Sequence, residues 1–408
     1  MSEVIEASLR EASLNPASEG PSRDQRAEHA IVENILKNPG TQNTFGVKPY
    51  PDNDAFVILH GEEWSGPTLI RNEYLLISRL IEAQYGQWVD QYDKGKKAIQ
   101  ILVITGQPSS GKTVFNRLLQ LKRISEHKKT IYTWKDYLYF FDGNKTWFIP
   151  EDITSKNRLK FEAYVIQFQR ELWVLYDSAH NNALQNWRPS GRTMLYQSLT
   201  TAAGCPVFTV FTTSPAESRW NGTQIGFNPK IFYMMPWGKV ELQKLLGFRV
   251  AHPKWRDVLL TSPLSITLTE AWENSPEYKL KTDVVASLQH FNKWGPYPLV
   301  QIDWEGTEDA RKEWEGAITT KINSIPSLGE LRHIKFQFEF NPEDSGDGLI
   351  SHKIFRAYRQ VAHPNTFNEG WDYILKVPPA VFNLVLQKFG TTVEADLDYG
   401  DEPLLTSL

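Results

Sequence analysis

Several features are scarce in this sequence, and each absence excludes a class of protein. The chain of 408 residues has one cysteine, Cys205, which excludes an internal disulfide framework and a cysteine-rich zinc site. Its longest apolar run, near Ile99–Ile104, is far shorter than the ~20 residues that span a bilayer. The N-terminal segment lacks the apolar stretch of a secretory signal. We therefore expect no membrane association and an intracellular protein, cytoplasmic or nuclear.

An excess of charge of one sign is also missing. The 44 Lys and Arg residues face 48 Asp and Glu residues, which gives a net charge of -4 at pH 7. This balance provides no general attraction to nucleic acid or to acidic lipid, so neither partner is indicated and only a local basic groove stays open. The hydrophobic fraction of 41% and the charged fraction of 23% are ordinary for a globular protein and exclude wholesale disorder.

The length predicts more than one domain, at about 100–200 residues each. Residues 1–50 are rich in Ser, Pro, Glu, Asn and Gly and are interpreted as a mobile arm with a short helix near 27–37. Residues 51–250 predict a three-layer α/β domain with a parallel central sheet, because buried-strand patterns alternate with helical ones. Residues 251–325 predict a helical lid, and residues 326–408 a small α+β region with an acidic tail. The predicted strands are 55–59, 98–105, 130–134, 137–141, 146–149, 172–176, 207–212 and 334–340, and the predicted helices are 72–85, 113–125, 239–246, 283–294, 308–325, 353–360 and 380–389.

A phosphate-binding loop (P-loop, or Walker A motif) lies between a strand pattern and a helix pattern. Gly106–Thr113 matches G-x-x-x-x-G-K-[ST], and the motif requires this strand–loop–helix context. Its glycines allow a tight turn whose N–H groups form an anion nest at a positive helix N-terminus. Lys112 would contact the β- and γ-phosphates and Thr113 would bind Mg²⁺, so the sequence predicts ATP or GTP with Mg²⁺ as cofactors. The loop residues expected to enclose the nucleotide are Gly106, Gln107, Pro108, Ser109, Ser110, Gly111, Lys112 and Thr113. The alternative is an ordinary Gly/Ser turn with a surface lysine.

A P-loop needs a carboxylate near the metal, usually at the end of a neighbouring strand. The apolar run from Leu172 ends in Asp177, which is therefore the candidate Mg²⁺ ligand; the alternative is an Asp that caps a turn. The next residue is Ser178 and not the Glu that often polarises the attacking water. Either the base lies elsewhere, with Glu171, His180 and Glu217 as weak candidates, or hydrolysis is slow or absent.

The next buried strand pattern, Val207–Pro215, ends in the hydroxyl side chains of Thr212, Thr213 and Ser214. This end of a parallel strand faces the ligand crevice, so a hydroxyl such as that of Thr213 would contact the γ-phosphate or the attacking water. The alternative is that these hydroxyls cap the following helix. Arg219 follows and would neutralise charge in the transition state; the alternative for a lone arginine is a surface ion pair.

Five segments along residues 98 to 300 together resemble one family. They are Gly106–Thr113, Trp173–Ser178, Thr212–Pro215 with Arg219–Trp220, Met235–Trp237 with Glu241–Leu242, and Lys293–Pro296. In this order they resemble the P-loop NTPase domain of fungal and oomycete Crinkler-type proteins and retrotransposon-hot-spot (RHS) proteins, which is related to AAA+ and STAND switches. The resemblance implies an ATPase-like domain of the additional-strand type.

The resemblance also implies residue roles. Asp177 would hold Mg²⁺, the Thr212–Ser214 end would act as a sensor, Arg219 would sit near phosphate, and Lys293–Pro296 would lead into the helical lid. The family itself carries Asp-Ser at the strand end, so the absence of the Glu does not weaken the resemblance.

Two parts of the family pattern are not visible in the sequence. Residues 1–60 show no ubiquitin-like header, and no nuclease or kinase-like toxin pattern follows residue 326. The acidic turn Asn341–Gly348 lacks EF-hand spacing and is interpreted as a surface loop. Effector activity therefore does not carry over.

The sequence predicts a nucleotide-dependent switch or slow ATPase that reports its state to a protein partner, with Lys112, Asp177 and Arg219 as the catalytic candidates. A small-molecule or nucleotide kinase is one alternative, but residues 239–300 contain only two arginines, Arg249 and Arg256, for a phosphate-binding lid. A scaffold that binds nucleotide without hydrolysis is the other. The oligomeric state stays open.

Overall fold

Strands and helices alternate along the chain, as the sequence predicts for an α/β domain. The computed structural model describes residues 23–37, 45, 49–50, 53–59, 66–95, 100–107, 110–134, 137–149, 164, 167–177, 207–213, 230–251, 288–295, 308–340, 354–359 and 373–390. The strands are β1 (Pro49–Tyr50), β2 (Asn53–Leu59), β3 (Gly66–Leu69), β4 (Gln100–Thr105), β5 (Thr130–Trp134), β6 (Tyr137–Phe141), β7 (Thr146–Ile149), β8 (Trp173–Asp177), β9 (Phe208–Thr212), β10 (Lys230–Tyr233), β11 (Arg356–Arg359) and β12 (Tyr373–Lys376). The helices are α1 (Arg23–Lys37), α2 (Asn72–Asp93), α3 (Lys112–Ser125), α4 (Lys239–Ala251), α5 (Glu308–Ser324), α6 (Leu328–Phe340) and α7 (Pro379–Phe389). Residues 288–294, within the helix predicted at 283–294, are also helical.

A seven-stranded, mostly parallel sheet forms the centre of the fold. Its order is β10-β4-β9-β8-β5-β6-β7. The first five strands pair in parallel, and β6 and β7 add an antiparallel extension to β5. The P-loop segment joins β4 to α3. The predicted α/β fold class with a mostly parallel central sheet is confirmed.

The central strands are apolar on both sides because both faces of the sheet are covered. In β4, Leu102 and Ile104 join the main core, while Ile101 and Val103 on the opposite side are also buried. Parallel sheets show this pattern when other layers pack on each face. The main core unites this sheet with α2 and α3, so the helix after the P-loop is fixed along the sheet by its apolar face.

Helix α1 packs into the same core through Val32 and through a buried carboxylate, Glu28. Glu28 forms a two-pronged ion pair with Arg117 of α3, at 2.9 and 2.8 Å, in which the two side chains are 1% and 3% exposed. Gln120 of α3 and Tyr132 of β5 each donate a further hydrogen bond to Glu28 at 2.9 Å. The helix expected near 27–37 therefore begins at Arg23 and is tied to the helix of the P-loop.

The C-terminal region forms its own apolar cluster. Helices α5, α6 and α7 bury Ile318, Leu331 and Val381 together, and Tyr233 of β10 and Trp294 pack against them. Helix α5 was assigned to the lid and α7 to the C-terminal α+β region, yet they share this core. The domain boundaries themselves stay a prediction.

Two element predictions in this region are wrong. Residues 334–340 alternate in hydropathy and were predicted as a strand, but they belong to helix α6. The Ser327 hydroxyl accepts the backbone N–H of Glu330 at 3.1 Å, an N-cap in a Ser-x-x-Glu pattern that the sequence analysis missed. Residues 353–360 were predicted as a helix, but β11 pairs antiparallel with β12 there because the ladder satisfies both backbones.

Among the described helices, none is both long and apolar enough to cross a bilayer.

The Glu28–Arg117 pair predicts a large stability effect with a defined pH dependence. Burial alone raises the pKa of Glu28, but the charge of Arg117 and the hydrogen bonds from Arg117, Tyr132 and Gln120 outweigh it, so the pKa lies below its ordinary value of 4.5. At pH values above the pKa of Glu28 in the unfolded chain, the ionised carboxylate therefore stabilises the fold. This stabilisation is lost as the pH falls through the lower pKa that Glu28 has in the folded protein. Glu28→Gln leaves Arg117 buried without a counter-charge and should reduce the free energy of unfolding by about 3–5 kcal/mol at pH 7.

Urea unfolding of the wild type and of Glu28→Gln between pH 7 and pH 3 measures this effect. The difference between the two proteins should narrow as the pH falls below 4.5. Glu33→Gln on the same helix is the matched control, because Glu33 pairs with Lys37 in solvent at 2.9 Å and should change nothing measurable. Equal effects of the two substitutions at pH 7 would contradict the account.

Candidate functional site

The carboxyl ends of the parallel strands bring the predicted site residues to one edge of the sheet. Ile104 of β4 is paired with Thr212 of β9, and Thr212 is paired with Asp177 of β8. The backbone N–H of Thr213 donates to the Ile104 carbonyl at 3.0 Å, which places Thr213 beside the strand that enters the P-loop. We expected Asp177 on a neighbouring strand, but β9 lies between β4 and β8. One additional strand, β9, therefore separates the strand before the P-loop from the strand that ends in Asp177, which is the additional-strand order that the resemblance implies.

Two glycines fix the tight course of the loop. Gly111 has φ 92°, a left-handed conformation that glycine adopts readily, and a Cβ at this position would lie 2.0 Å from Tyr74 Oη. A Cβ on Gly106 would lie 2.7 Å from the backbone oxygen of Met234. The loop is therefore enclosed between α2 and the end of β10, where a larger residue would not fit. Gly111 is also the N-cap of α3, so the first N–H groups of that helix have no intrahelical acceptor.

Lys112 lies across the loop that precedes it. Its ammonium donates to the backbone oxygens of Gly106 and Gln107 at 2.6 and 2.7 Å and contacts Ser110 Oγ at 3.2 Å. A lysine ammonium has three protons and no acceptor. The positive charge is therefore held at the mouth of the loop and next to the positive N-terminus of α3, where an anionic ligand would be stabilised.

A small pocket joins the helix of the P-loop to the acidic strand end. Thr113 and Asn116 of α3 and Asp177 of β8 all line it. Thr133 and Leu175 also contribute, and Arg117, Gln120 and Tyr132 of the Glu28 network form its remaining wall. The two predicted Mg²⁺ ligands, Thr113 and Asp177, therefore line the same pocket although they are far apart in the sequence.

Asp177 is placed by the sheet and by a neighbouring hydroxyl. It is 3% exposed, and its backbone N–H donates to Thr133 Oγ1 at 2.9 Å. In the described part of the chain, no group of three or more His, Cys, Asp or Glu side chains is arranged to hold a metal. This donor set fits Mg²⁺, which typically takes one or two protein carboxylates and completes its shell with phosphate oxygens and water.

A buried arginine that the sequence analysis missed supports the loop from outside. Arg71, 2% exposed, donates to the backbone oxygen of Ser110 at 2.5 Å and to that of Pro236 at 2.9 Å. It also pairs with Glu241 at the start of α4, at 2.8 Å. Its partners lie between 39 and 170 positions away, so no local sequence pattern indicates this role. Arg71 ties the P-loop, the end of β10 and α4 into one unit.

One loop side chain reaches the C-terminal region. The amide of Gln107, itself 4% exposed, donates to the backbone oxygen of Phe355 at 3.0 Å. Phe355 belongs to the C-terminal cluster and directly precedes β11. The P-loop and the C-terminal region are therefore joined by a buried hydrogen bond.

Other predicted residues divide into three groups. Thr212 donates its hydroxyl to the Tyr176 carbonyl at 3.1 Å and so holds β9 to β8. The prediction of Glu171 as a weak candidate base is wrong. Glu171 precedes β8, at the end of the sheet opposite to Asp177, and its exposed carboxylate pairs with Lys129 at 2.7 Å. Pro108, Ser109, Ser178, His180, Ser214, Glu217 and Arg219 lie outside the described residues.

Comparison with known proteins identifies no family. No family model matches the sequence, and no curated protein matches it. A chain of the Drosophila ORC bound to DNA resembles the structure with a TM-score of 0.32 and 17% identity over 60% of this chain and 63% of that chain. The match thus covers less than two thirds of the Drosophila chain. The Aeropyrum pernix ORC2 protein, in ADPNP–ADP complexes, resembles the structure with a TM-score of 0.30 and 13% identity. This match covers 76% of this chain and 93% of that chain. Likenesses this distant carry no functional argument.

Arg71 yields a test of how the loop is supported. Arg71→Met removes the donor to the carbonyls of Ser110 and Pro236, and a buried acceptor without a partner costs about 1–3 kcal/mol. We expect the free energy of unfolding to fall by at least that amount in urea titrations. Arg71→Lys should recover only part of the loss, because an ammonium cannot reproduce the planar fork. Arg79→Met, at an exposed position of the same helix, is the control. An Arg71→Met protein as stable as this control would show that the contacts do not stabilise the fold.

Proposed function

We propose that this protein binds ATP with Mg²⁺ at the P-loop and acts as a nucleotide-dependent switch or slow ATPase. The proposal is carried by the pocket that Thr113 and Asp177 share, together with the ammonium of Lys112, the residue before Thr113, which lies across the P-loop. A positive loop and a buried carboxylate at one strand edge form the pair of features that a nucleotide–metal complex needs. GTP is the alternative nucleotide.

The residues of the site have complementary roles in this proposal. Lys112 exchanges at least one of its loop acceptors for a phosphate oxygen, since it uses its protons on Gly106, Gln107 and Ser110 without ligand. The N-terminus of α3 adds backbone N–H groups for the phosphates. Thr113 and Asp177 would hold Mg²⁺, which when bound neutralises charge on the phosphate oxygens. Gly106 to Ser110 enclose the phosphates.

Hydrolysis, where it occurs, depends on placing a water against the γ-phosphate. Thr213 is the proposed contact for that water or phosphate, because it follows β9 directly and lies at the same strand edge as Asp177. Arg219 remains the proposed cation for transition-state charge. The residue that follows Asp177 in the sequence is Ser178 and not Glu, which supports slow turnover.

The switch part of the proposal rests on the Gln107–Phe355 hydrogen bond. A change in the loop on nucleotide binding would alter this bond and so reach the C-terminal cluster, which would present the change to a protein partner. The membership in the Crinkler/RHS group of P-loop NTPases is proposed on the motif order alone. An intracellular location likewise stays a prediction.

Nucleotide binding and phosphate release of three variants test the proposal. Lys112→Ala removes a charge-assisted bond and should weaken ATP binding about tenfold to a hundredfold and abolish turnover. Asp177→Asn should bind ATP in Mg²⁺ no better than in EDTA. Lys128→Ala, on a lysine that pairs with Glu126 beyond the far end of α3, is the control and should match the wild type.

The outcomes separate the alternatives. ATP binding without turnover would point to a scaffold, and turnover only with an added acceptor would point to a kinase. Hydrogen exchange at residues 354–359 should change on nucleotide addition, and unchanged exchange would contradict the switch. If the wild-type protein bound neither ATP nor GTP at millimolar concentration, the proposal of a nucleotide-binding protein would be refuted.

A further inference from the structure

One buried amide oxygen in the site pocket accepts no hydrogen bond from the described residues. Asn116 lies one turn after Thr113 on α3, and residues three apart on a helix share a face. Its side chain is 4% exposed and lines the pocket with Thr113 and Asp177. Its Oδ1 atom accepts no hydrogen bond in the described structure. Buried polar atoms of this kind are rare and call for a ligand or a bound water.

Four other polar side chains around the pocket already have hydrogen-bond partners. Arg117, Gln120 and Tyr132 donate to Glu28. Thr133 accepts the backbone N–H of Asp177. The Asn116 oxygen is therefore a hydrogen-bond acceptor that lies in the pocket and receives no hydrogen bond from the described residues.

An unused acceptor suits one component of a magnesium site better than the others. Mg²⁺ keeps several waters of its octahedral shell, and a metal-bound water donates both of its protons. The nearby cations, Lys112 and Arg117, have no acceptor to offer such a water. A carbonyl oxygen one helical turn from the threonine ligand does.

We propose that Asn116 is a positioning residue for magnesium: its Oδ1 accepts a hydrogen bond from a water of the Mg²⁺ shell held by Thr113 and Asp177. The inference rests on the proposed function, because it assumes that the metal of the nucleotide complex binds at this pocket between Thr113 and Asp177. Partners of this outer kind orient the shell, and their loss typically lowers metal affinity 10- to 100-fold.

Asn116→Leu and Asn116→Asp distinguish this role from others. The leucine is similar in shape and has no acceptor, whereas the aspartate keeps the oxygen and adds negative charge. The measurement is the affinity for a non-hydrolysable ATP analogue, in EDTA and along a Mg²⁺ titration, with Asn323→Leu at an exposed position of α5 as the matched control. No turnover is needed for this readout.

The expected result has two parts. Asn116→Leu should bind the analogue in EDTA like the wild type but need roughly 10- to 100-fold more Mg²⁺ for the half-maximal effect. Asn116→Asp should need no more Mg²⁺ than the wild type. Without nucleotide, Asn116→Leu should unfold at the wild-type temperature or above, since the amide it removes has no hydrogen bond to its oxygen.

Three results would overturn the inference. A wild-type Mg²⁺ requirement in Asn116→Leu would show that the amide does not touch the shell. Weaker binding of both variants in EDTA would indicate that Asn116 contacts a phosphate directly. A lower unfolding temperature or failure to fold of Asn116→Leu would assign the amide a structural role. Failure of the wild type to bind the analogue under any condition would instead refute the proposed function.

Discussion

The tight turn between β4 and α3 is the constraint on which the rest of the site depends. Gly111 can take its left-handed conformation, and Tyr74 leaves no room for a Cβ there. Because no side chain fits there, the chain turns tightly into α3, and the N-terminus of that helix is the kind of backbone site that binds anions. Arg71 reinforces this turn from behind through the carbonyl of Ser110. The loop is therefore held by tertiary contacts as well as by its own sequence.

The parallel sheet brings residues from other strands close to the P-loop, and together they form the candidate site. Parallel strands bring their carboxyl ends to one edge, so Thr213 and Asp177 lie at the edge from which the chain enters α3. Thr113 of that helix lines one pocket with Asp177 although the two are far apart in sequence. The helix that begins at the loop is fixed lower down by the buried pair Glu28–Arg117. Helix α1 is thus part of the frame of the site, because Arg117 also lines the pocket.

The sequence predicted the central sheet well because its signals are local. The strands predicted at residues 130–134 and 137–141 have the bounds observed, and the P-loop motif located the turn between β4 and α3. The predictions failed where tertiary context decides. Residues 334–340 alternate like a strand, but Leu331 and Ile334 contact the C-terminal cluster from a helix.

The missing parts of the site had weak signals or none. Arg71 contacts residues up to 170 positions away, which no periodicity reveals. A signal was present in the sequence of α3, where polar side chains stand at buried positions: Asn116, Arg117 and Gln120. Polar residues inside an otherwise apolar helix face would have pointed to the pocket and to the Glu28 network.

The most direct test of the central claim is a crystal of the protein soaked with Mn²⁺ and a non-hydrolysable ATP analogue. Anomalous scattering then locates the metal without assumptions about mechanism. The account predicts a single manganese peak between Thr113 and Asp177, with the triphosphate against Lys112. A peak remote from Asp177, or analogue bound away from the loop, would contradict it.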